Sequence, residues 1–320
     1  MDKVIDFSKE AKIIPNRFLG ADKKKSILYK DEKYLLKFSN LLDKERQPQL
    51  LTSYSNNVFS EYIGCKFFSS CGIQAQEVIL GTFEETNRKN QLKKYPVVAC
   101  KDFTTDDFQL YEFKALENSF LEGTSGGKIP VIENIYSLIE SAEGIFNIIP
   151  PEKAIEHYWD IFIIDAILGN FDRHAGNWGY LYNEKAQIAK FAPVYDCGSC
   201  LFSKASDDAF EKILSNEQEL NKRIFSYPQA SLVVNDARIN YYDFISSLSN
   251  KDCNEALKRM YKKIDMKNLY EIIDNTPLIS DIRKTFYKKV TQKRYSEIIV
   301  KPYRKLIKLE QKPNIKSPIL

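Results

Sequence analysis

The sequence predicts a mixed α+β fold, and three stretches carry that prediction. Ser26 to Tyr29 and Tyr34 to Phe38 are short apolar runs separated by Lys30-Asp31-Glu32-Lys33, the pattern of two strands joined by a turn. His157 to Leu168, reading HYWDIFIIDAIL, sets Tyr158, Phe162 and Ala166 on one four-residue row and Trp159 and Ile163 on the next, as a buried helix requires. Trp178 to Tyr182, a turn at Asn183 to Ala186, and Ile188 to Tyr195 read as strand, turn and return strand.

Taken in chain order, the first feature is a compact basic turn, Gly20-Ala21-Asp22-Lys23-Lys24-Lys25, placed one strand before the apolar run that contains Lys37. A helix is expected from Asn57 to Ser70, with Val58 and Tyr62 on one row and Phe59, Ile63 and Phe67 on the other, ending at Gly72. Glu61 is the single acid within it, and a carboxylate on so apolar a helix is costly to bury without a partner, which Lys37 would supply. Asn87 to Lys94 and Leu121 to Lys128 read as surface loops on either side of a strand, Pro96 to Phe103, that runs into a connector. Gly169 ends the later helix, and the loop Asn170 to Asn177 leaves from its rigid end. The hairpin that follows, its return strand interrupted by Pro193, carries Asp196 back beside Asn177.

These pieces match the needs of phosphoryl transfer. That reaction asks for in-line positioning and for positive charge near the phosphate oxygens, and Mg²⁺ takes hard oxygen ligands from one or two carboxylates plus phosphate and water. Asp172 precedes Asn177 by five positions, the interval between base and metal-binding asparagine in protein kinases. Asp172 is thus the candidate base, with Asn177 and Asp196 the candidate metal ligands. Lys37 is the candidate contact for the α- and β-phosphates of ATP, held by Glu61, with Lys25 adding charge and the Gly20-Ala21-Asp22 backbone approaching phosphate. Adenine is expected along the backbone of Cys100, Lys101 and Asp102. His174, one of two histidines, is a candidate base or, more in keeping with its position, a hydrogen-bonding brace for the loop.

The order Asp172-Arg173-His174 inverts the usual His-Arg-Asp and resembles the catalytic loops of phosphatidylinositol kinases and of HipA-like kinases. The chain as a whole is similar to the HipA-like kinases through Gly20-Ala21, Tyr34 to Phe38, Ser60-Glu61-Tyr62, Ala99 to Thr105, Leu168 to His174, Asn177-Trp178-Gly179 and Asp196 to Leu201. Weaker likeness continues to Pro277. The resemblance implies a two-lobed, protein-kinase-like fold with a mostly β N-lobe at residues 1–103 and a mostly helical C-lobe at 104–287. It also implies a Ser/Thr protein kinase acting on a protein hydroxyl with ATP and Mg²⁺. Autophosphorylation is expected. Full-length HipA proteins carry an extra N-terminal subdomain for which the residues before Gly20 leave no room, which puts pairing with a HipB-type DNA-binding antitoxin in doubt. Two rival readings are a lipid kinase, since phosphoinositide kinases share Asp-Arg-His, and an ATP-binding interaction module without transfer activity.

Composition sets the outer limits. Apolar residues make up 43% and charged residues 28% of the 320, ordinary values for a soluble protein with a sizeable core. The start lacks an apolar signal segment and no apolar run is long enough to span a bilayer, so a cytoplasmic protein is expected, with signal-independent export left open. Six cysteines in this length form no dense disulfide framework, and Cys197-Gly198-Ser199-Cys200 lacks a second pair to complete a zinc site. The net charge of +4 conceals a basic C-terminal tail, residues 288–320, where ten Lys/Arg face only Glu297 and Glu310. A solvated terminal helix explains it better than a nucleic-acid or lipid contact, and neither of those partners is expected.

Overall fold

The computed structural model describes residues 4–15, 23–39, 57–86, 90–115, 135–136, 139, 149–234 and 237–311. Gly20, Ala21, Asp22, the Leu121 to Lys128 loop and everything from Lys312 onward therefore lie outside the described residues.

Six strands form the first sheet: β1 (Ile5–Asp6), β2 (Lys12–Ile14), β3 (Lys24–Tyr29), β4 (Glu32–Phe38), β5 (Val78–Thr86) and β6 (Leu92–Lys101), in the order β1-β5-β6-β4-β3-β2. All neighbours are antiparallel except β1 and β5. Lys30 and Asp31, with φ of 51° and 62°, make the β3–β4 connection a tight turn with both central residues left-handed, the twist that suits a two-residue hairpin. Strand β6 starts at Leu92, inside the stretch expected to be loop, because β5 pairs with it as far as Thr86↔Leu92.

The two-residue period of the strands sorts their side chains between two cores. Tyr34, Leu36 and Phe38 of β4 point with Ile27, Tyr29, Val97 and Ala99 into a small cluster closed by Phe7 of the four-residue helix α1 (Phe7–Glu10). Leu35, Val98 and Cys100 point the other way, toward helix α2 (Asn57–Ser70) and the main core. Lys37 falls on this second face.

The main core is helical. Its central helix is α3 (Pro151–Leu168), whose residues from Tyr158 to Leu168 are all buried. It begins six residues earlier than its apolar rows suggest, because Pro151 fits the first helical position. Around it lie α4 (Asp207–Leu214), α5 (Glu217–Phe225), α6 (Tyr241–Ser247), α7 (Lys251–Lys263), α8 (Met266–Asn275), α9 (Asp281–Arg294) and α10 (Lys301–Glu310). A three-stranded sheet, β7 (Gln109–Glu112), β8 (Gly179–Asn183) and β9 (Ile188–Phe191), carries the hairpin, and β10 (Gln229–Val234) pairs with β11 (Ala237–Asn240). Strand β9 stops at Phe191, two residues before Pro193.

The basic C-terminal stretch is only partly solvated. Val290, Thr291, Ile298, Ile299 and Leu306 are buried, so one face of residues 288–311 packs into the helical core while the lysines face out. Arg294 is the exception among its cations. At 1% exposure it donates to the carbonyls of Ala166 (2.9 Å), Arg223 (2.7 Å) and Tyr227, which caps the end of α3 from the far end of the chain. Among the described residues, no helix is long and apolar enough to cross a membrane.

Candidate active site

Lys37 and Glu61 meet as the sequence anticipates. The Lys37 ammonium lies 3.1 Å from Glu61 Oε2 and 3.1 Å from Asp196 Oδ1, on the sheet face that looks toward α2. Glu61 is 1% exposed, Lys37 15% and Asp196 48%, so charge grades from dry interior to the edge of an opening. Burial pushes the Glu61 carboxyl up to about 7, against the pull of Lys37 and with a further push from Asp196. Burial also opposes the Lys37 charge, but Glu61 and Asp196 outweigh it and hold the ammonium well above the usual lysine range. Lys37 in turn holds Asp196 below the ordinary carboxylate range. Although close to Lys37, Glu61 Oε2 has no well-aligned hydrogen bond.

The loop after α3 is braced at almost every residue. Arg173 is buried and forks onto Asp165 of α3, with Nε at 2.9 Å from Oδ2 and Nη2 at 3.3 Å from Oδ1. Its Nη1 donates to the carbonyls of Asn177 (2.9 Å) and Tyr195 (2.6 Å), and Nη2 stands 3.5 Å from Cys197 Sγ. One guanidinium thus ties the helix end, the Asp172–Asn177 loop and the residue before Asp196 together. Asn170 adds a second brace: its amide donates to Asp165 Oδ1 and its Oδ1 accepts from the Asp172 N–H. The Asn177 amide donates to the Asp172 carbonyl at 2.8 Å, which fixes the five-residue interval as a closed loop.

His174 serves this loop as a brace. Its Nδ1 accepts from the Gly176 N–H at 3.0 Å and caps the short 3-10 turn Ala175–Asn177, so the ring proton sits on Nε2. Asp196 has φ of +56°, a left-handed conformation uncommon for a residue with a side chain. Arg173 on the Tyr195 carbonyl, and Tyr195 Oη donating to Gly176 O, hold it there.

A cavity of about 260 Å³ opens between the sheet and the helical core. Lys37 and Glu61 line it on the sheet side, Asp172 and Asp196 on the other. Strand alternation decides which lysine of the basic turn joins them. Lys24 pairs in register with Lys37 and lines the cavity, whereas Lys25 sits opposite Leu36 and turns away to Glu85 (3.3 Å) and the Phe83 ring. The expectation that Lys25 adds charge to the site is corrected to Lys24.

The connector after β6 is also specific. Cys100 is fully buried on the Lys37 side of the sheet, while the Lys101 ammonium pairs with Glu32 (2.6 Å) and Glu77 (3.3 Å) at the surface. The N–H groups of Lys101 and Asp102 donate to Glu77 and Lys33, and the Lys101 carbonyl accepts from Gln76. Reading by motif passed over Asp165, Asn170, Lys24, Ser199, Ser203 and Lys204. Asp165 carried a usable signal, an acid inside an apolar helix, the same reasoning that singled out Glu61.

A lysine strand, a helix glutamate that receives it and a braced Asp-to-Asn loop across a cleft define the class: a two-lobed, protein-kinase-like α+β protein. Within that class the chain belongs to the HipA-like family, since the model of the HipA-like C-terminal domain matches residues 18–268. It is 40% identical over 294 residues to the serine/threonine-protein kinase CtkA of Helicobacter pylori strain J99, covering 91% of this chain and 85% of that one. The crystal structure of a Helicobacter pylori proinflammatory kinase CtkA superposes with a TM-score of 0.84 at 40% identity, covering 97% of this chain and all of the other. The HipA, HipB and operator DNA complex of Shewanella oneidensis MR-1 matches with a TM-score of 0.51 at 13% identity, covering 90% of this chain and 67% of that one, a likeness of fold alone.

Proposed function

We propose that this protein is a Ser/Thr protein kinase that transfers the γ-phosphoryl group of ATP to a protein hydroxyl. The observation that carries the reading is the Lys37, Glu61 and Asp196 triangle opening onto a cavity that Asp172 shares. The similarity to CtkA, named a serine/threonine-protein kinase, supports the choice of acceptor.

In this reading Asp172 orients the acceptor hydroxyl and takes its proton. Lys37 binds the α- and β-phosphates, kept charged and aimed by Glu61. Gly20, Ala21 and Asp22 cover the phosphates with Lys24 at their flank, and adenine lies along the backbone of Cys100, Lys101 and Asp102. His174 keeps the loop in shape.

Asn177 and Asp196 would supply oxygen ligands to Mg²⁺; Asp196 lines the cavity and Asn177 is buried in the braced loop. With its amide nitrogen spent on the Asp172 carbonyl, Asn177 keeps Oδ1 available, and half-exposed Asp196 keeps its carboxylate charged. Two such ligands need phosphate oxygens and water to complete a shell, the usual arrangement for Mg²⁺ in phosphotransferases. The ion, when bound, supplies charge neutralisation for the phosphates.

The test is transfer from γ-labelled ATP, offered a protein or a phosphoinositide acceptor in separate reactions. Asp172→Asn is expected to lower transfer to protein by about 10²- to 10⁴-fold while nucleotide still binds, the usual loss for a general base. Asp196→Ala is expected to remove the Mg²⁺ dependence of ATP binding. Labelling of lipid alone would overturn the choice of acceptor.

A further inference from the structure

Three lysines line the cavity, Lys24, Lys37 and Lys204, and of these only Lys37 is ion-paired among the described residues. Lys37 is shared between Glu61 and Asp196, and Lys23 and Lys25 are both drawn to Glu85. Lys204 lines the cavity from the helical side with no ion pair or hydrogen bond among the described residues. Its ammonium rests 5.6 Å from the centre of the Phe171 ring, and Phe171 immediately precedes Asp172. Lys204 thus shares the cavity lining with Asp172 and rests on the residue just before it.

The backbone that presents Lys204 is built for that position. Leu201 and Phe202 both adopt left-handed φ values, 52° and 55°, which residues with side chains take up in succession only when surroundings enforce it. Those surroundings are visible: the Leu201 N–H donates to the Leu168 carbonyl at the end of α3, Leu201 is fully buried, and Phe202 packs on Phe286. Ser60 Oγ holds the preceding Cys200 carbonyl at 2.8 Å. The double left-handed turn reverses the chain so that Ser203 and Lys204 face back into the cavity.

Charge points in the same direction. Lys24, Lys37 and Lys204 share the cavity with Glu61, Asp172 and Asp196, so the formal charges of its lining balance. ATP brings roughly four negative charges and one divalent ion offsets two, leaving excess negative charge on the phosphates. An ammonium that shares the cavity with Asp172 and has no ion pair among the described residues is where that excess can be met.

We propose that Lys204 is a catalytic residue that contacts the transferred phosphoryl group from the acceptor side, opposite Lys37. The inference rests on the kinase reading of the same site. In the transfer, the acceptor O–H proton goes to the Asp172 carboxylate and the acceptor oxygen bonds to the γ-phosphorus. The bridging bond to the β-phosphate breaks with its electron pair left on the β-phosphate oxygen. Lys204 changes no bond and donates hydrogen bonds to the phosphoryl oxygens as charge spreads over them.

Lys204→Met keeps the aliphatic stem on Phe171 and removes only the charge. Its expected effect is a fall in kcat of about 10²-fold, the scale for loss of one preorganised donor to a transition state. KM for ATP, Kd for ADP and the melting temperature stay at wild-type values, and Lys204→Arg recovers most of the rate. Wild-type kcat in Lys204→Met, with Asp172→Asn inactive in the same assay, overturns the role of Lys204 and leaves the kinase reading intact. A rise in KM and in Kd for ADP with kcat unchanged also overturns it, since the contact would then belong to ground-state binding. Wild-type rates in both variants would remove the kinase reading and this inference together.

Discussion

Two buried cation–carboxylate pairs lie on opposite sides of the cleft, and they are built to different standards. Arg173 and Asp165 are matched in geometry: a fork on a carboxylate, with the remaining guanidinium donors on the Asn177 and Tyr195 carbonyls and the other carboxylate capacity taken by Asn170. Lys37 and Glu61 are close but incomplete. Lys37 divides itself between two acids, and Glu61 Oε2 lacks an aligned donor. A fully satisfied pair fixes a shape, whereas an under-satisfied one at the edge of a cavity keeps binding capacity in reserve. The difference marks one pair as architecture and leaves the other, on the proposed reading, to the ligand.

Breaking the architectural pair should have the largest effect. Arg173→Met leaves Asp165 dry and without its counter-charge, held only by the Asn170 amide, and is expected to cost about 3–5 kcal/mol of folding stability, measured by denaturant titration. If Arg173→Met unfolds at the wild-type midpoint, the pair braces nothing. Breaking the other pair should separate activity from stability. Lys37→Met is expected to reduce transfer by about 10²-fold or more, yet at pH 6 its melting temperature stays close to wild type, because Glu61 takes up a proton easily there.

The smallest effect sharpens the comparison through pH. Glu61 titrates near 7 in the fold against an ordinary value of 4.5, so across that window the native state holds a proton that the unfolded chain has released. Its contribution to stability is therefore greatest at the acid side and declines as pH rises toward 7, by at most about 3 kcal/mol at roughly 1.4 kcal/mol per unit. Glu61→Gln removes this slope. The wild-type stability measured relative to Glu61→Gln should decline between pH 5 and pH 8, and a constant difference would mean that Glu61 is neither dry nor near its partner as described.

Much of this was legible from residues alone, for identifiable reasons. The helix at Asn57–Ser70 and the hairpin after Asn177 have strong periodicity and clear turn residues; the helix stands where the sequence placed it, and the hairpin forms with its return strand ending at Phe191 instead of Tyr195. Lys37 and Glu61 were readable as partners because a lone charge in an apolar element needs one. Strand β5 was not readable, since Gly81 sits in its middle; the glycine is there because Ile5 O and the Phe7 ring press within 2.6 Å of where a Cβ would stand. The choice between Lys24 and Lys25 was equally hidden. Adjacent lysines in a basic run look alike until strand register assigns each a face. Lys204 has no motif around it, and only the double left-handed turn brings it to the cavity.

Arg294 gives the molecule an order of assembly. Ala166, whose carbonyl it holds, lies more than a hundred positions upstream, three residues before the glycine that ends the helix and begins the braced loop. A chain emerging from the ribosome completes Asp172, Asn177 and Asp196 long before it completes this clasp. Until α9 is out and folded back, the nascent polypeptide lacks the pin that holds the loop's foundation, and shortened products that stop before it inherit the chemistry's side chains without the frame that aligns them.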